Sequence, residues 1–204
     1  MKKNVNKKVL TIAETAVLVA IVIFMAFTPL GYLKIGPLSI TFLPIPVAVG
    51  AIVLGPVGGA LLGAVFGLTS FLQCLGIGPD APLGMLIFQV NPWLAGITCI
   101  VPRILEGFFS ALVFRAFSRK EKNPISYTAA SFTAPFTNTV LFVGSLVLFY
   151  GNNEKVKEFF GVERVFEIIV AIVTINALIE LVVCTAVGAV VAGALRKVHG
   201  KWER

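Results

Sequence analysis

Apolar residues run through this chain in blocks longer than a soluble helix or strand needs, and the charges gather between the blocks. The first block covers about 9–27 and stops at Thr28-Pro29. Next comes a charge-free stretch, TFLPIPVAVGAIVLGPVGGALLGAVFGLTSF (41–71). Gly55-Pro56 divides it, because a helix ends readily at glycine and restarts on proline. The division leaves a short second span, about 42–54, and a third over 57–75 that is about 28 Å long as a helix. Residues 97–117, 125–150 and 165–195 supply spans four, five and six, the last long enough to require tilt or projection. Between spans, GYLKIGPLSI (31–40) predicts short irregular structure at a membrane surface, and 76–99 predicts a link that is not cleanly helical. GNNEKVKEFFGVER (151–164) predicts a polar link with room for a short surface helix.

Beyond the Gly55-Pro56 turn, glycines recur at 55, 59, 63 and 67. A step of four stacks them on one helix face. Among Leu, Val and Phe, such a face admits another backbone very closely, as small-xxx-small faces do in membrane helices. Packing is therefore the expected role of this stretch, with any polar chemistry elsewhere.

Composition sharpens the class. Of 204 residues, 57% are hydrophobic and 13% charged, against about 25% charged in soluble domains. One integral-membrane domain over 1–204 fits, all-α with six transmembrane helices. The net charge of +7 would suggest nucleic acid in a soluble protein, but here it sits where topology needs it. Lys2, Lys3, Lys7 and Lys8 precede span one; Arg115, Arg119, Lys120 and Lys122 separate spans four and five; Arg196, Lys197, Lys201 and Arg204 close the chain. Between spans five and six, Lys155, Lys157 and Arg164 are balanced by Glu154, Glu158 and Glu163. Both termini in the cytoplasm satisfy the positive-inside rule at every link. The first block is too long for an ordinary signal peptide and carries Glu14 near its start, so it reads as a retained span.

Several chemistries lack their parts. There is no G-x-x-x-x-G-K-[ST] phosphate loop, and the only histidine, His199, lies in the basic tail. GIGPDA (76–81) nominally matches a dinucleotide fingerprint, but no strand precedes it and Pro79 and Pro82 spoil the helix start. Cys74, Cys99 and Cys184 are far apart in sequence and read as small apolar fillers, with neither a metal nor a cofactor implied.

What remains is a set of polar groups inside apolar spans. Intramembrane ionisable groups cost about 2.5–3.5 kcal/mol each on insertion scales and are functional candidates by default. Glu180 is near the middle of span six, with Asn176 one turn before it on the same face. Arg103 lies in span four, and Glu106, three residues on, is within pairing range and would neutralise it. Asn138 sits between Thr137 and Thr139 in span five. Asn91 and Trp93, in an N-P-W sequence, stand at the entry to span four. Asn138 and Asn176 also fit as interhelical hydrogen-bond glue, and Trp93 as an interfacial anchor. Ala16 and Ala20 make an A-x-x-x-A step in span one. A membrane-embedded enzyme would lack a nucleophile–base pair, and a purely structural subunit would leave Glu180 unexplained.

Taken together, the six spans, the short second span, the A-x-x-x-A step and the G-P-x-x-G-A turn resemble the substrate-binding S component of energy-coupling factor transporters. Residues 28–70, VPRIL (101–105), TNTV (137–140) and NALIE (176–180) look most like the pantothenate-type S components. The resemblance implies a vitamin pocket built from spans four to six and the links after spans one, three and five. It implies a transmembrane T component contacting Ala16 and Ala20, two ATP-binding subunits, and residence in the bacterial cytoplasmic membrane. For pantothenate, Arg103 suits the carboxylate, Asn138, Asn176 and Glu180 suit the hydroxyls and amide, and Trp93 suits the apolar body, with Asn91 beside it. The link QCLGIGPDAPLG (73–84) and Glu106 after PRIL depart from the family pattern, so a different vitamin or precursor stays open.

Overall fold

The computed structural model describes residues 7–35, 38–79, 81–118, 124–161, 163, 167 and 175–202. In chain order these form α1 (Lys7–Ala26), β1 (Tyr32–Ile35), β2 (Leu38–Thr41), α2 (Pro44–Cys74), α3 (Pro82–Val90), α4 (Pro92–Phe117), α5 (Pro124–Tyr150), α6 (Glu154–Phe160) and α7 (Ile175–Trp202). Four of the helices, α2 to α5, begin on proline, whose missing N–H is no loss in a first turn. Among the described residues, five helices are long and apolar enough to cross a membrane: α1, α2, α4, α5 and α7. Their outward side chains, such as Ile12, Val57, Leu148 and Val190, are apolar and exposed, as a lipid-facing surface requires.

Helix α2 is two helices folded back on each other. At the division expected from the sequence, Gly55 takes φ 82°, ψ −169°, a conformation that a side chain disfavours. A straight helix would hold Gly50 and Leu62 about 18 Å apart. Instead Leu62 fills the space beside Gly50, and Gly59 lies against Ala51. Gly55 is thus the hinge of the hairpin, and the packing face belongs to the three glycines after it.

That face meets α4 in antiparallel register. A Cβ on Gly59 would overlap the carbonyl of Gly107, and one on Gly63 the carbonyl of Arg103. One on Gly67 would stand 2.7 Å from the Cα of Ile100. Each four-residue step up α2 matches a step of three or four residues down α4. Backbone-to-backbone approach of this kind gathers dispersion contacts where no hydrophobic drive exists between lipid-solvated helices.

Three segments differ from expectation. The link at 31–40 contains an antiparallel hairpin, with Tyr32 opposite Thr41 and Leu33 opposite Ile40. The third link contains α3, and α4 starts at Pro92 instead of about 97, because Asn91 caps it. In the polar link, α6 is the short helix foreseen. Of the sixth span, 165–166 and 168–174 lie outside the described residues, and its described helix begins at Ile175.

Two apolar clusters stabilise the bundle. One joins Leu18 and Val22 of α1, Val47, Ile52, Leu62 and Phe66 of α2, and Phe114 of α4. The second joins Leu83 and Ile87 of α3, Ala95 of α4, Leu146 and Tyr150 of α5, and Val156 of α6. Antiparallel packing of α4 on α5 is fixed at both ends: Ser110 Oγ donates to the Ala130 carbonyl at 2.8 Å, and Tyr150 OH to the Asn91 carbonyl at 3.3 Å.

Gly63→Val should therefore destabilise the fold by about 1–3 kcal/mol, the usual range for overpacking. Gly144→Ala, which meets nothing within 4 Å, should leave stability unchanged or slightly raised. Thermal unfolding of the two variants in the same detergent checks the contrast.

Candidate functional site

The polar groups of the spans collect around Arg103, and a defect in α4 explains its pose. Pro102 has no N–H to give the carbonyl of Thr98, one turn earlier. Arg103 Nη1 takes that carbonyl at 2.8 Å. A helical side chain leans toward its own N-terminus, which is the direction this bond needs. The guanidinium also lies over two rings, Phe66 of α2 at 5.4 Å and Phe142 of α5 at 4.6 Å. Such stacking holds the planar cation while leaving its edge free. Arg103 is 8% exposed, and its Nε has no protein partner.

Glu106 is one turn further along α4. It is 0% exposed, and neither carboxylate oxygen has a hydrogen-bond partner. The neutralising pair expected from the spacing is thus not made as a direct hydrogen bond. On α5, Asn138 is buried one turn before the ring that covers Arg103, with its Oδ1 unpartnered. On α7, Glu180 is buried and coupled to Arg103 and to Glu106.

Glu180 does have a partner, from a distant part of the chain. Its Oε2 accepts the backbone N–H of Thr41 at 3.2 Å, leaving Oε1 without one. One turn on, Cys184 Sγ donates to the Thr41 carbonyl at 3.6 Å. Helix α7 therefore holds both backbone groups of the residue that ends the β-hairpin. Across the hairpin, the Tyr32 hydroxyl is also inside, beside Ser70 and Gln73, and burial pushes that phenol above its ordinary pKa, so it stays a neutral donor or acceptor. Gln73, at the end of α2, donates to the Ala26 carbonyl at 2.7 Å and ties the ends of α1 and α2 together.

The sequence-derived candidates separate cleanly. Arg103, Asn138 and Glu180 come together at one level of the bundle. Asn176 falls in the first turn of α7, its side chain outside the described part of the structure. Asn91 spends its Oδ1 on the backbone N–H groups of Trp93 and Leu94, at 3.1 and 3.2 Å, as the N-cap of α4. Trp93 is 86% exposed and does not face Arg103. Ala16 and Ala20 are exposed along α1.

Groups missed in the sequence include Thr41, which acts through its backbone, and Tyr32 and Thr98, which look unremarkable in their segments. The cysteines were read as separate fillers; Cys74 and Cys99 in fact meet at 3.5 Å between Sγ atoms, both reduced. Among the described residues, no three His, Cys, Asp or Glu side chains are grouped to hold a metal ion.

The arrangement is a mid-bundle polar layer with one cation, two carboxyls and one amide, walled by Phe66 and Phe142. Among the described residues it contains no nucleophile–base pair, and it matches a binding site for a small polar solute. Comparison with known proteins agrees. The family model described as ECF transporter, substrate-specific component, matches residues 10–192. The chain is similar to the pantothenic acid transporter PanT of Lactococcus lactis subsp. cremoris, with 29% identity over 206 residues covering 97% of each chain. It is also similar to the pantothenate transporter PanT of Leuconostoc mesenteroides subsp. mesenteroides, with 26% identity over 185 residues covering 87% of each. The buried polar layer and the match along nearly the whole chain lead to one assignment: this protein belongs to the substrate-specific component family of ECF transporters, a transport subunit and not an enzyme.

Proposed function

We propose that the chain captures pantothenate from outside the cell and delivers it inward when joined to an energy-coupling module, a T component with two ATP-binding subunits. The observation that carries this reading is Arg103: a buried guanidinium, oriented by Thr98, Phe66 and Phe142, with Nε unpartnered. A single fixed fork of this kind suits a single carboxylate. Pantothenate adds an amide and two hydroxyls on a branched apolar body. Asn138 and Glu180 are within the same layer to serve these, and Asn176 is assigned to the same task from its position in the sequence one turn before Glu180. Asn91 contributes by fixing where α4 begins, and Trp93 marks the exposed rim. The names of the two similar transporters favour pantothenate over another vitamin or precursor.

We read the two halves of α2 as separate crossings, which with α1, α4, α5 and α7 would make six and put both termini on one side. The Lys and Arg excess at both termini and between α4 and α5 supports the cytoplasmic side of a bacterial cell membrane. The exposed Ala16 and Ala20 of α1 offer a small-residue face on which a T-component helix fits.

Arg103→Ala should weaken pantothenate binding by about 10- to 100-fold, the loss expected when a charge-assisted pair is removed. Titration calorimetry on the purified subunit measures it, and unchanged affinity would remove Arg103 from the carboxylate site. A panel of vitamins in the same assay tests the solute: selective binding of another vitamin would replace pantothenate while keeping the carrier role. Ala16→Leu combined with Ala20→Leu should leave that binding intact but abolish co-purification with the co-expressed T and ATP-binding subunits. Retention of the full complex would place the T-component contact elsewhere.

A further inference from the structure

Glu106 is the most completely buried charged side chain described, and the reading above gives it no task. Its burial is hard to explain as structure alone. It does not hydrogen-bond Arg103, whose Nη1 is spent on the Thr98 carbonyl and whose face is covered by two rings. It caps no helix end and ties no loop, since both of its oxygens lack partners. A buried carboxyl left in this state costs free energy that an apolar side chain of similar volume would not.

The neighbouring orphaned groups have a pattern. Glu106 Oε1 and Oε2, Glu180 Oε1 and Asn138 Oδ1 are acceptors, while Arg103 Nε is the one obligate donor beside them. Thr98 Oγ1 and the Tyr32 hydroxyl can act either way. The layer is therefore rich in acceptors on the side of Glu106 and Glu180, and a complementary solute must bring donors to that side. Its single anionic group belongs at Arg103, one turn of α4 away. The one fixed cation draws the solute's carboxylate to Arg103, and the two carboxyls at the other end offer it no counter-charge, which fixes the direction in which the solute lies.

We infer that Glu106 is a specificity-determining residue that accepts hydrogen bonds from the hydroxyl end of the solute, with Glu180 and Asn138 beside it, while the carboxylate end rests on Arg103. This rests on the solute-binding reading proposed above. It names the class of solute admitted: an acid with hydroxyl donors at the end remote from its carboxylate. A chain-length analogue without those hydroxyls would leave the Glu106 oxygens unpaired, and sites built to pair a hydroxyl reject such analogues strongly.

The test compares pantothenate with its analogue in which both hydroxyls are replaced by hydrogen, on the wild-type subunit and on Glu106→Gln. Wild type should prefer pantothenate by at least about tenfold, and Glu106→Gln should lose about 10- to 100-fold for pantothenate while changing little for the deoxy analogue. Glu106→Met serves as a second variant, because exchanging a buried carboxyl for an apolar side chain of similar length should keep or raise the thermal midpoint. It too should lose the preference for the hydroxylated solute. Equal affinity of Glu106→Gln and wild type for pantothenate would overturn the inference and leave Glu106 with bound water only. Parallel losses for both solutes in both variants would overturn it in favour of a structural role. Both results leave pantothenate binding by the wild type intact; failure of the wild type to bind it would instead bring down the functional reading itself, and this inference with it.

Discussion

The close approach of α2 to α4 is the constraint from which the rest of the structure follows. Three glycines on the second half of α2 accept the backbone of α4 at Ile100, Arg103 and Gly107. Any side chain at Gly63 would push away the very residue that carries the guanidinium. The same approach brings Phe66, one turn from both Leu62 and Ser70, over the Arg103 cation. In a bundle whose helices gain little from hydrophobic association, packing at this range supplies the rigidity that a precise polar layer needs. The scaffold is charge-free, so the cost of burying charge falls on the helices it supports.

That cost is managed by position. One apolar cluster lies on the α1–α2 side and another beneath α3 and α6, with the polar layer between them. Arg103 is satisfied in part by a carbonyl that Pro102 set free, so one irregularity in the helix lodges another. Glu180 is satisfied in part by Thr41, which binds the end of the β-hairpin to α7. The remaining acceptors are the ones left for a solute. Polar groups that were merely tolerated would be expected to find each other, and these do not.

Much of this was legible in the residues. Gly55-Pro56 marked the hinge, and the four-residue glycine step marked the face that meets α4, though Gly55 itself belongs to the turn. Arg103, Asn138 and Glu180 stood out because charge and amide groups are rare in long apolar blocks. The missed features are those in which sequence distance hides contact. Thr41 and Glu180 are 139 residues apart, and only the folded hairpin presents a backbone N–H to that carboxylate. Cys74 and Cys99 meet because the link between them turns back through α3. The hairpin at 32–41 was hidden because each of its strands is only four residues long and Gly36 and Pro37 in the sequence between them read as general irregularity. Asn91 and Trp93 illustrate the converse error: a polar and an aromatic residue at a helix entry are as often a cap and a rim as a ligand pair.

Glu106 shows most plainly why local spacing is an incomplete guide to charge. Three residues after an arginine, a glutamate on a helix is within pairing distance, and a surface helix would make that pair freely. Inside α4 the geometry is already committed: Pro102 draws the guanidinium back toward Thr98, and Phe66 and Phe142 clamp it there. Pairing with Glu106 would require giving up the Thr98 bond and the ring contacts together. The carboxylate is thus separated from its obvious partner by the same contacts that orient the arginine. A cation and a carboxyl held apart in a low-dielectric layer form a polarised site, one end drawing an anion and the other drawing hydrogen-bond donors. A solute with a carboxylate at one end and hydroxyls at the other fits that polarity in one direction only.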